Sequence, residues 1–410
     1  MASNEYITGL DIGTTKISAI IAEIEDGTMP KVIGVGTVPS HGLRKGVVVN
    51  LEKTVGSIET AIINAEKMSG VNIDQVYVGI AGDHIRSYNG RGVVAVAGDE
   101  NEITEDDIRR AIDAAKAVVI PIDREIIHVI PQEFTVDEQK GIRDPLGMSG
   151  VRLETEVHIV TGAITSAQNI YRSVERAGVG VKDLVLEPLA SSYSVLSEDE
   201  KELGVIVIDM GGGTTDIAMF FEGCIRKTSV VALGGDNVTN DIAHCLRTPI
   251  EQAEMIKIKH GVANYTMLDN KDDTIEIAGI GGRPPRRVSK ELLTDIIQPR
   301  MEEILRLTLS EIKKSEYSNL MTTGVVLTGG GSLLHGTIEL AEDIFDMPVK
   351  LGIPQGFTGL IDMVKNPIYA TGIGLVIYAN RNRYELEGIL NSDEPGPFDQ
   401  IWNRMKKWFS

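Results

Sequence analysis

One short pattern occurs twice in the chain, and two copies of it are compatible with few folds. In residues 10–20 (LDIGTTKISAI) and 208–220 (IDMGGGTTDIAMF), an aspartate ends an apolar segment, a turn rich in glycine and threonine follows, and a second apolar segment begins. Each copy predicts a β-hairpin whose turn presents backbone N–H groups and hydroxyls as a concave anion site. One copy alone is equally well explained as an ordinary hairpin with glycine in its turn. Two copies in two similar halves favour a phosphate-binding cleft between the halves.

The segments around the two copies also repeat. In the first half, strands are predicted at 6–12, 17–24, 31–38 and 76–80, with a helix at 51–68 before the last. In the second half, strands are predicted at 205–210, 217–221, 229–233 and 324–327, with helices before the last. Three strands, a helix and a strand indicate an α/β layer, and 410 residues are too many for one ordinary core. The expected fold is therefore α/β with two related domains.

The two turns and two further glycine clusters supply the candidate ligand-binding residues. Asp11 and Asp209 would lie beside the phosphates and could hold Mg²⁺ through water, since Mg²⁺ keeps several waters and takes one or two carboxylates. The cluster at 329–331 would let the backbone approach a base or sugar, ahead of a helix N-terminus that favours anions. The other candidates are Gly13, Thr14, Thr15, Lys16, Gly211, Gly212, Gly213, Thr214, Thr215, Asp216, Gly234, Gly235, Gly329, Gly330, Gly331 and Ser332. The chain has no Gly-Lys pair and no G-x-G-x-x-G pattern, which excludes phosphate sites of the P-loop and Rossmann types.

Charge and composition exclude several classes of protein. The formal net charge of −19 argues against non-specific nucleic-acid binding, which needs a basic surface. Two cysteines are too few for a disulfide framework and fit a reducing cytoplasm. No stretch approaches the ~20 apolar residues of a membrane-spanning helix. Contact with a membrane is therefore expected to be local.

The C-terminal residues carry a separate amphipathic pattern. At ~100° per residue, six large apolar side chains, including both tryptophans of the chain, fall within an arc of about 120°. This predicts a short helix in a membrane interface with its basic residues near anionic headgroups. A helix docked on the protein's own core is the alternative, but the preceding Glu394-Pro395-Gly396-Pro397 favours a flexible linker. The apolar residues are Phe398, Ile401, Trp402, Met405, Trp408 and Phe409, and the basic ones are Arg404, Lys406 and Lys407.

The order of these motifs resembles that of the superfamily of actin, Hsp70 and the sugar kinases. Residues 11–16 and 209–216 look like its two phosphate loops and 329–332 like its adenosine motif, which implies ATP as the ligand. Its connecting helices resemble 187–191 and 372–374, and Glu187 falls where the superfamily has a side chain that orients the attacking water. Glu254 and Lys257 look like its nucleoside-contacting pair, although they could equally be an ordinary i, i+3 pair on a helix surface.

Longer runs resemble the FtsA family of bacterial cell-division proteins over nearly all of the chain. The runs are 9–16, 123–131, 141–148 and 282–286. The resemblance implies an actin-like fold, in which two ribonuclease-H-like halves each carry an insertion. The first insertion has strand signals at 92–97, 125–129 and 134–137 and a helix that begins after Thr104. The expected domains are 1–82 with 157–198 (first half), 83–156 (its insertion), 199–240 with 300–380 (second half), 241–299 (its insertion), 381–397 (linker) and 398–410 (amphipathic helix).

The same resemblance implies a structural protein with at most weak ATPase activity, to which Glu187, Asp11 and Asp209 would contribute. It would self-associate, anchor the FtsZ ring to the cytoplasmic face of the membrane at the division septum, and recruit later division proteins. Arg300 and Glu303 are candidate contacts for the FtsZ tail, although both could be solvated helix charges. The alternatives are a pilus-assembly actin-like ATPase similar to PilM and a sugar-kinase-like phosphotransferase. A kinase would need a catalytic base, and no carboxylate stands out as one.

Overall fold

The computed structural model describes residues 5–117, 120–268, 270, 273–279 and 284–390. In chain order its strands are β1 (Glu5–Ile12), β2 (Lys16–Ile24), β3 (Lys31–Pro39), β4 (Leu43–Arg44), β5 (Val47–Val48), β6 (Gln75–Ile80), β7 (Arg86–Ala95), β8 (Arg124–Val136), β9 (Gln139–Ile142), β10 (Arg152–Ala163), β11 (Gly180–Leu186), β12 (Val205–Met210), β13 (Thr215–Phe221), β14 (Cys224–Val231), β15 (Thr274–Ile277), β16 (Arg286–Ser289), β17 (Val325–Thr328), β18 (Val349–Leu351) and β19 (Thr358–Gly359). Its α-helices are α1 (Leu51–Ser69), α2 (Glu105–Ala115), α3 (Ile164–Arg176), α4 (Glu187–Val195), α5 (Glu198–Leu203), α6 (Gly235–Leu246), α7 (Ile250–His260), α8 (Lys290–Lys313), α9 (Thr337–Phe345), α10 (Ile361–Val364) and α11 (Ala370–Leu390).

Two sheets with the same strand order form the centres of two domains. The first has the order β11-β6-β1-β2-β3, and β19 adds a short strand beyond β3. The second has the order β14-β13-β12-β17-β18, which is the same arrangement read from the other end. In each sheet the first two strands form an antiparallel hairpin, and a later strand returns parallel to the first. The predicted α/β fold with two related halves is confirmed.

Helix α1 shows how local sequence positions an element on the first sheet. Asn50 caps its N-terminus by accepting a hydrogen bond from the Lys53 N–H, and Gly70 ends it with φ 74°. On β3, Gly36 permits the close approach of the helix, because a Cβ there would overlap the carbonyl oxygen of Ala61. The helix thereby covers the apolar face of the sheet.

A third sheet, with strand order β7-β10-β8-β9, interrupts the first domain, and α2 packs on it. The predicted start of α2 is confirmed, since Thr104 and Asp107 form a reciprocal capping box. The sequence predicted two strands at 125–129 and 134–137, which is wrong, because β8 is continuous. Pro131 lies where the pairing of β8 with β10 shifts by one residue, and such a bulge accommodates a residue without an N–H.

The third sheet also packs against the second domain, at strand β14. Ser87 Oγ donates a hydrogen bond to the carbonyl of Thr228 at 3.0 Å, and Gln132 Nε2 donates to that of Ile225 at 2.8 Å. His158 Nε2 lies 3.0 Å from Thr228 Oγ1, and burial lowers the pKa of His158 to about 3, so its ring is neutral at pH 7. The insertion is therefore held by both domains.

Helices α4 and α11 run between the two domains at the positions where the sequence predicted connecting helices. They cross closely, because a Cβ at Gly374 would overlap the carbonyl oxygen of Ala190. Ser194 Oγ on α4 also donates to the carbonyl of Ala370 at 2.7 Å. The two connections therefore form one packed unit.

Helix α11 extends further than the sequence predicted. A linker was expected from Arg381, which is wrong for residues 381–390, because they continue the helix. No proline precedes Pro395 in this segment, and most residues of 381–386 are compatible with a helix. Arg381 stacks on Tyr193 and pairs with Glu198 at 3.2 Å, which fixes the helix against α4 and α5. The rest of the predicted linker and the predicted amphipathic helix at 398–410 lie outside the described residues.

Candidate functional site

A cavity of about 440 Å³ lies between the two domains. Both hairpins, the start of α4, helices α6 and α7, the end of β17 and the start of α11 contribute to its walls. The predicted residues that line it are Asp11, Gly13, Thr14, Thr15, Lys16, Glu187, Asp209, Gly211, Gly212, Gly213, Thr214, Asp216, Gly235, Glu254, Lys257, Gly329, Gly330 and Gly331. The fold thus brings six separate segments of the sequence analysis to one cleft.

Three predicted residues do not line the cavity but stabilise the loops around it. Thr215 Oγ1 donates to the carbonyl of Leu233 at 2.9 Å, and Ser332 Oγ donates to that of Gly329 at 2.7 Å. The Gly234 N–H donates to Asn237 Oδ1 at 3.0 Å at the start of α6. These contacts fix the loops whose neighbouring residues face the cavity.

The two hairpins have the same geometry. The Gly13 N–H donates to the carbonyl of Lys16 at 3.0 Å, and the Gly211 N–H donates to that of Thr214 at the same distance. In the pairing register Asp11 faces Ser18, whereas Asp209 faces Asp216. The equivalent positions therefore hold one carboxylate in the first hairpin and two in the second.

The hairpin tips approach each other across the cleft. A Cβ at Gly213 would lie 2.6 Å from Thr14 Oγ1 and 2.9 Å from Lys45 Cα, and a Cβ at Gly212 would overlap the Thr15 side chain. The Gly46 N–H, in the turn between β4 and β5, donates to Thr14 Oγ1 at 3.1 Å. Glycine at the second tip is what allows the two domains to meet here.

The two hairpins differ in charge. Lys16 Nζ pairs with Asp11 Oδ2 at 3.0 Å and donates to the carbonyl of Ile368 at 2.7 Å. The second hairpin has no ion pair of this kind among the described residues. Burial raises the pKa of Asp216 to about 7, and burial also raises the pKa of Asp209. The second hairpin therefore has little positive charge nearby to balance the carboxylates of Asp209 and Asp216.

Glu187 joins this cluster from the first residue of α4. Burial, and after it the charges of Asp11, Asp216 and Asp209, raise the pKa of Glu187 well above its usual value. The Asp216 Oδ1 atom is buried and has no hydrogen-bond partner among the described residues. A cation between the carboxylates would lower the pKa of Glu187 and give Asp216 Oδ1 a partner.

The donor set fits a hydrated divalent cation better than a site made of protein ligands alone. Among the described ranges, no group of three or more histidine, cysteine or acidic side chains is placed to hold a metal ion. Mg²⁺ typically takes one or two carboxylates and completes its shell with water and phosphate oxygens. One or two of the carboxylates of Asp11, Asp209 and Asp216 could hold it in that manner.

The far wall of the cleft combines a polar network with an apolar slot. Lys257 Nζ pairs with Glu254 Oε2 at 2.7 Å and donates to the carbonyl of Gly235 at 3.1 Å and to Thr239 Oγ1 at 2.9 Å. Glu254 and Lys257 thus face the cavity rather than open solvent. Beside them lie apolar side chains that the sequence analysis missed: Val238, Ile258, Met301, Leu333 and Leu334. An apolar slot next to hydrogen-bonding groups suits a planar heterocycle and its sugar.

Other lining residues were also missed. They are Gly46, Ala81, Asp236, Pro367, Ile368 and Thr371. Asp236 follows the predicted Gly234-Gly235 pair directly and could have been found from that position. The others carry no local signal, since they reach the cleft only through packing of distant segments.

Arg300 and Glu303 lie on α8, away from the cavity lining. Arg300 Nε pairs with Asp241 Oδ2 on α6 at 2.6 Å, and the guanidinium also pairs with Glu303. The hydrogen bond to Asp241 is the main interaction that raises the pKa of Arg300. The two residues therefore form a surface ion-pair network with α6.

Comparison with known proteins gives consistent matches along the whole chain. A family model described as "Cell division protein FtsA" matches residues 206–374, and one described as "SHS2 domain inserted in FTSA" matches residues 82–161. The chain is 48% identical to cell division protein FtsA of Pseudomonas aeruginosa, over 99% of this chain and 98% of that protein. It is 45% identical to FtsA of Neisseria meningitidis, over 98% of this chain and 97% of that protein. The corresponding protein of Escherichia coli K12 is 38% identical, with 98% and 97% covered.

Solved structures with a similar fold are more distant in sequence. The structure of a PilM-PilN type IV pilus biogenesis complex aligns with a TM-score of 0.67 at 16% identity, over 92% of this chain and 98% of that one. The structure of MreB5 of Spiroplasma citri bound to ADP aligns with a TM-score of 0.57 at 14% identity, over 95% and 99%. At such identities the alignments show the fold, which is actin-like.

Proposed function

The chain belongs to the FtsA family of cell-division proteins, and on that premise we propose that it is an ATP-switched, self-associating anchor for the FtsZ ring. ATP with Mg²⁺ would bind between the domains, and the C-terminal segment would hold the protein on the cytoplasmic face of the membrane at the septum. Later division proteins would be recruited to the assembly. The pilus-assembly and phosphotransferase alternatives are not favoured, because relatives at 38–48% identity over the whole chain carry the cell-division name.

One observation carries the nucleotide proposal: among the residues that the structure describes, the carboxylates of the second hairpin have no ion-pair partner. Asp209 and Asp216 have raised pKa values from burial, and Asp216 Oδ1 has no partner in the described part of the chain. Bound Mg²⁺ would supply positive charge that neutralises the phosphates. The hairpin N–H groups and Lys16 would bind phosphate oxygens, and the Glu254–Lys257 wall with its apolar slot would take the nucleoside.

Glu187 bears on how fast the nucleotide would be turned over. A protonated carboxyl cannot take a proton from water, so the raised pKa of Glu187 disfavours its action as a base until it ionises. Ionisation of Glu187 then depends on a cation binding beside it. We therefore propose at most a weak ATPase, with the nucleotide acting as a switch.

The nucleotide site can be tested with two lysines on one helix. Lys257 lines the cavity, whereas Lys259 on the same helix is exposed and does not. We expect Lys257→Ala to weaken binding of ATP with Mg²⁺ by roughly tenfold in calorimetry, because one charge-assisted hydrogen bond is lost. Lys259→Ala is the matched control and should bind like the unmodified chain. Equal affinities for the two variants, or no binding by the unmodified chain, would contradict the site.

The FtsZ proposal places the partner's tail at α8. Asp241 holds Arg300 there, and Arg300 in turn pairs with Glu303, so the two charges are positioned rather than loosely solvated. We expect Arg300→Glu to weaken co-sedimentation with FtsZ filaments by at least about tenfold, because like charges brought together at an interface cost more than about 1.4 kcal/mol. Arg306→Glu on the same helix is the control, because Arg306 is exposed and makes only a loose ion pair with Glu302, at 3.8 Å. Unchanged recruitment by Arg300→Glu would remove this surface from the proposal.

A further inference from the structure

The insertion, formed by the third sheet and α2, is attached to the first domain by the chain itself. It leaves that domain after β6, just beyond the cavity residue Ala81, and rejoins it where β10 leads directly into α3. Hydrogen bonds strengthen both links. His128 Nε2 on β8 accepts from the Leu186 N–H at 2.9 Å, immediately before α4, and Arg124 Nη2 donates to the carbonyl of His84 at 2.6 Å. We therefore expect the insertion to move with the first domain.

The insertion meets the second domain through side-chain contacts rather than through the chain. Besides the hydrogen bonds of Ser87, Gln132 and His158 described above, the Cys224 thiol on β14 donates to the carbonyl of Gln132 at 3.1 Å. Arg143 Nη2 donates to the carbonyl of Glu222, just before β14, at 3.0 Å. We call these contacts of the insertion with residues 222–228 the β14 interface. Because no covalent link crosses it, this interface can separate while the attachment to the first domain stays intact.

Strand β14 connects the β14 interface with the wall of the cleft. Thr228 is paired with Ala218, and three residues further on Val231 is paired with Thr215 of the second hairpin, a distance of about 10 Å along the strand. The chain then reaches Gly235, which lines the cavity. Because β14 is hydrogen-bonded to β13 over this length, a displacement of the second hairpin also displaces the β14 interface.

We propose that the insertion braces the cleft, so that the β14 interface has to separate when the two domains move apart. Helices α4 and α11 join the domains through the chain and act as the hinge of that motion. Motion about them displaces β14 relative to an insertion that follows the first domain. The β14 interface therefore slows opening of the cleft and release of its ligand. The inference rests on the proposed binding of nucleotide with Mg²⁺, since it concerns how fast that ligand leaves.

Cys224 provides a natural reporter for the β14 interface. Its side chain is buried, and burial raises the pKa of the thiol, which keeps it protonated and slow to react. The chain has two cysteines, and the other, Cys245 on α6, is exposed. Cys245→Ser, called the parent below, leaves Cys224 as the single thiol. Modification of Cys224 by dithionitrobenzoate then requires the β14 interface to open.

Two conservative substitutions weaken the β14 interface without touching the cavity lining. In the parent, Ser87→Ala removes the hydrogen bond from Ser87 Oγ to the carbonyl of Thr228. Thr228→Val removes the contact of Thr228 Oγ1 with His158 Nε2 and keeps the shape of the side chain. Both changes together make the interface variant.

The matched control removes one serine and one threonine hydroxyl elsewhere. Thr155 Oγ1 donates to the carbonyl of Glu133 at 3.2 Å inside the insertion. Ser173 Oγ donates to the carbonyl of Asn169 at 2.7 Å within α3. Thr155→Val with Ser173→Ala in the parent therefore costs two hydrogen bonds but leaves the β14 interface unchanged.

The test compares thiol modification with ligand release in the full chain. We expect Cys224 of the interface variant to react about 5- to 30-fold faster than in the parent, because two neutral hydrogen bonds are lost. Release of N-methylanthraniloyl-ADP with Mg²⁺ should accelerate by a similar factor. ADP with Mg²⁺ should slow the reaction of Cys224 in the parent, and dilute urea should change it little, as expected of a local opening. The control variant should match the parent in both rates.

The outcomes separate the brace from the nucleotide site. Equal acceleration in the control variant would show a general loss of stability and overturn the inference. So would faster modification of Cys224 with unchanged release of the ADP analogue, because the β14 interface would then open independently of the cleft. If the parent binds no nucleotide, the proposed function itself fails. If it binds nucleotide and the reaction of Cys224 does not respond, the brace alone is wrong.

Discussion

At Asp216, the requirements of folding stability and of cation binding conflict. Thr214 Oγ1 donates to its Oδ2 at 2.8 Å, while its Oδ1 is buried without a partner in the described ranges. Burial raises the pKa of Asp216 to about 7, from an ordinary value of 3.8. Between about pH 4 and pH 7 the folded protein therefore binds more protons at this site than the unfolded chain. The free energy of unfolding consequently falls as the pH rises through this window.

Asp216→Asn should remove that pH dependence. We expect the variant to raise the free energy of unfolding of the ligand-free protein by about 1–3 kcal/mol at pH 8 and to change it little at pH 4. The same variant should weaken binding of nucleotide with Mg²⁺, because one carboxylate is lost. Urea unfolding at the two pH values measures the first effect, with Asp113→Asn on α2 as the control. A gain of equal size at both pH values would show that the buried charge is not its cause.

At the scale of residues, the sequence identified the polar part of the cleft better than the apolar part. The hairpin residues from Asp11 and Asp209 onward could be found because glycines, hydroxyls and an acid recur at fixed spacing. Ile258, Met301 and Leu333 could not, because an apolar residue that lines a cleft has the same chemistry as one in a core. Which of the two it becomes is decided by how the domains pack.

At the scale of elements, the close crossing of α4 and α11 determines what these helices tolerate. Gly374 lies directly against the Ala190 carbonyl, so any side chain at this position must displace a helix. Gly56 in α1 is the opposite case, because no atom lies within 4 Å of a Cβ built there. The same substitution should therefore have opposite effects at the two positions.

Gly374→Ala should lower the free energy of unfolding by about 1–3 kcal/mol, because added volume in a packed contact forces the backbone to shift. Gly56→Ala should raise it by about 0.5–1 kcal/mol, since alanine restricts the unfolded chain and favours a helix. Denaturant unfolding of both variants measures the difference. A neutral or stabilising Gly374→Ala would contradict the close packing of the two helices.

Element boundaries were predictable where the signal is local. Strands of the two hairpins were found because glycines and acids mark their ends. Strand β8 was divided in the prediction because Pro131 reads as a strand breaker, and only the register of the partner strand reveals the bulge that admits it. Strand β14 begins at Cys224, earlier than the predicted 229, because its pairing with β13 extends to Phe221. Both errors come from contacts with other elements that the local sequence does not contain.

At the scale of the whole molecule, the duplication could be predicted and the placement of the insertion could not. The repeat is written in two similar stretches of sequence. The contacts of Ser87, Gln132 and His158 with β14 join residues that are 70 or more positions apart. The spacing of apolar residues along the sequence does not indicate such long-range pairings.

On the proposed function, we expect membrane attachment to be a property of the assembled protein rather than of one chain. No helix among the described residues is long and apolar enough to cross a bilayer. Partial burial of side chains worth ~1.5–3 kcal/mol each, offset by the cost of ordering a short helix, gives weak binding by one tail. Several tails on one assembly would bind far more tightly, through effective concentration.

Trp402→Glu, on the apolar face of the C-terminal pattern, should abolish co-sedimentation with anionic liposomes. Asn403→Glu, on the neighbouring polar face, adds the same charge and should reduce binding only slightly. In the unmodified chain, bound protein should rise more steeply than linearly with total protein concentration. If a variant that cannot assemble binds liposomes as tightly as the unmodified chain, assembly and attachment do not reinforce each other.

The packing of the insertion on β14 affects how copies of this protein can contact one another when they are crowded together. The outermost strands β3 and β14 occupy equivalent edges of the two central sheets, and an open edge is a template on which other chains add strands and form amyloid-like fibres. On β3 that edge is occupied by β19, and on β14 the carbonyls of Ile225 and Thr228 accept hydrogen bonds from the insertion. If many copies gather on one surface, as the proposed function implies, the edges of neighbouring copies meet at high local concentration. Covering β3 and β14, one edge of each central sheet, leaves fewer strands on which another copy could add and so disfavours irreversible aggregation.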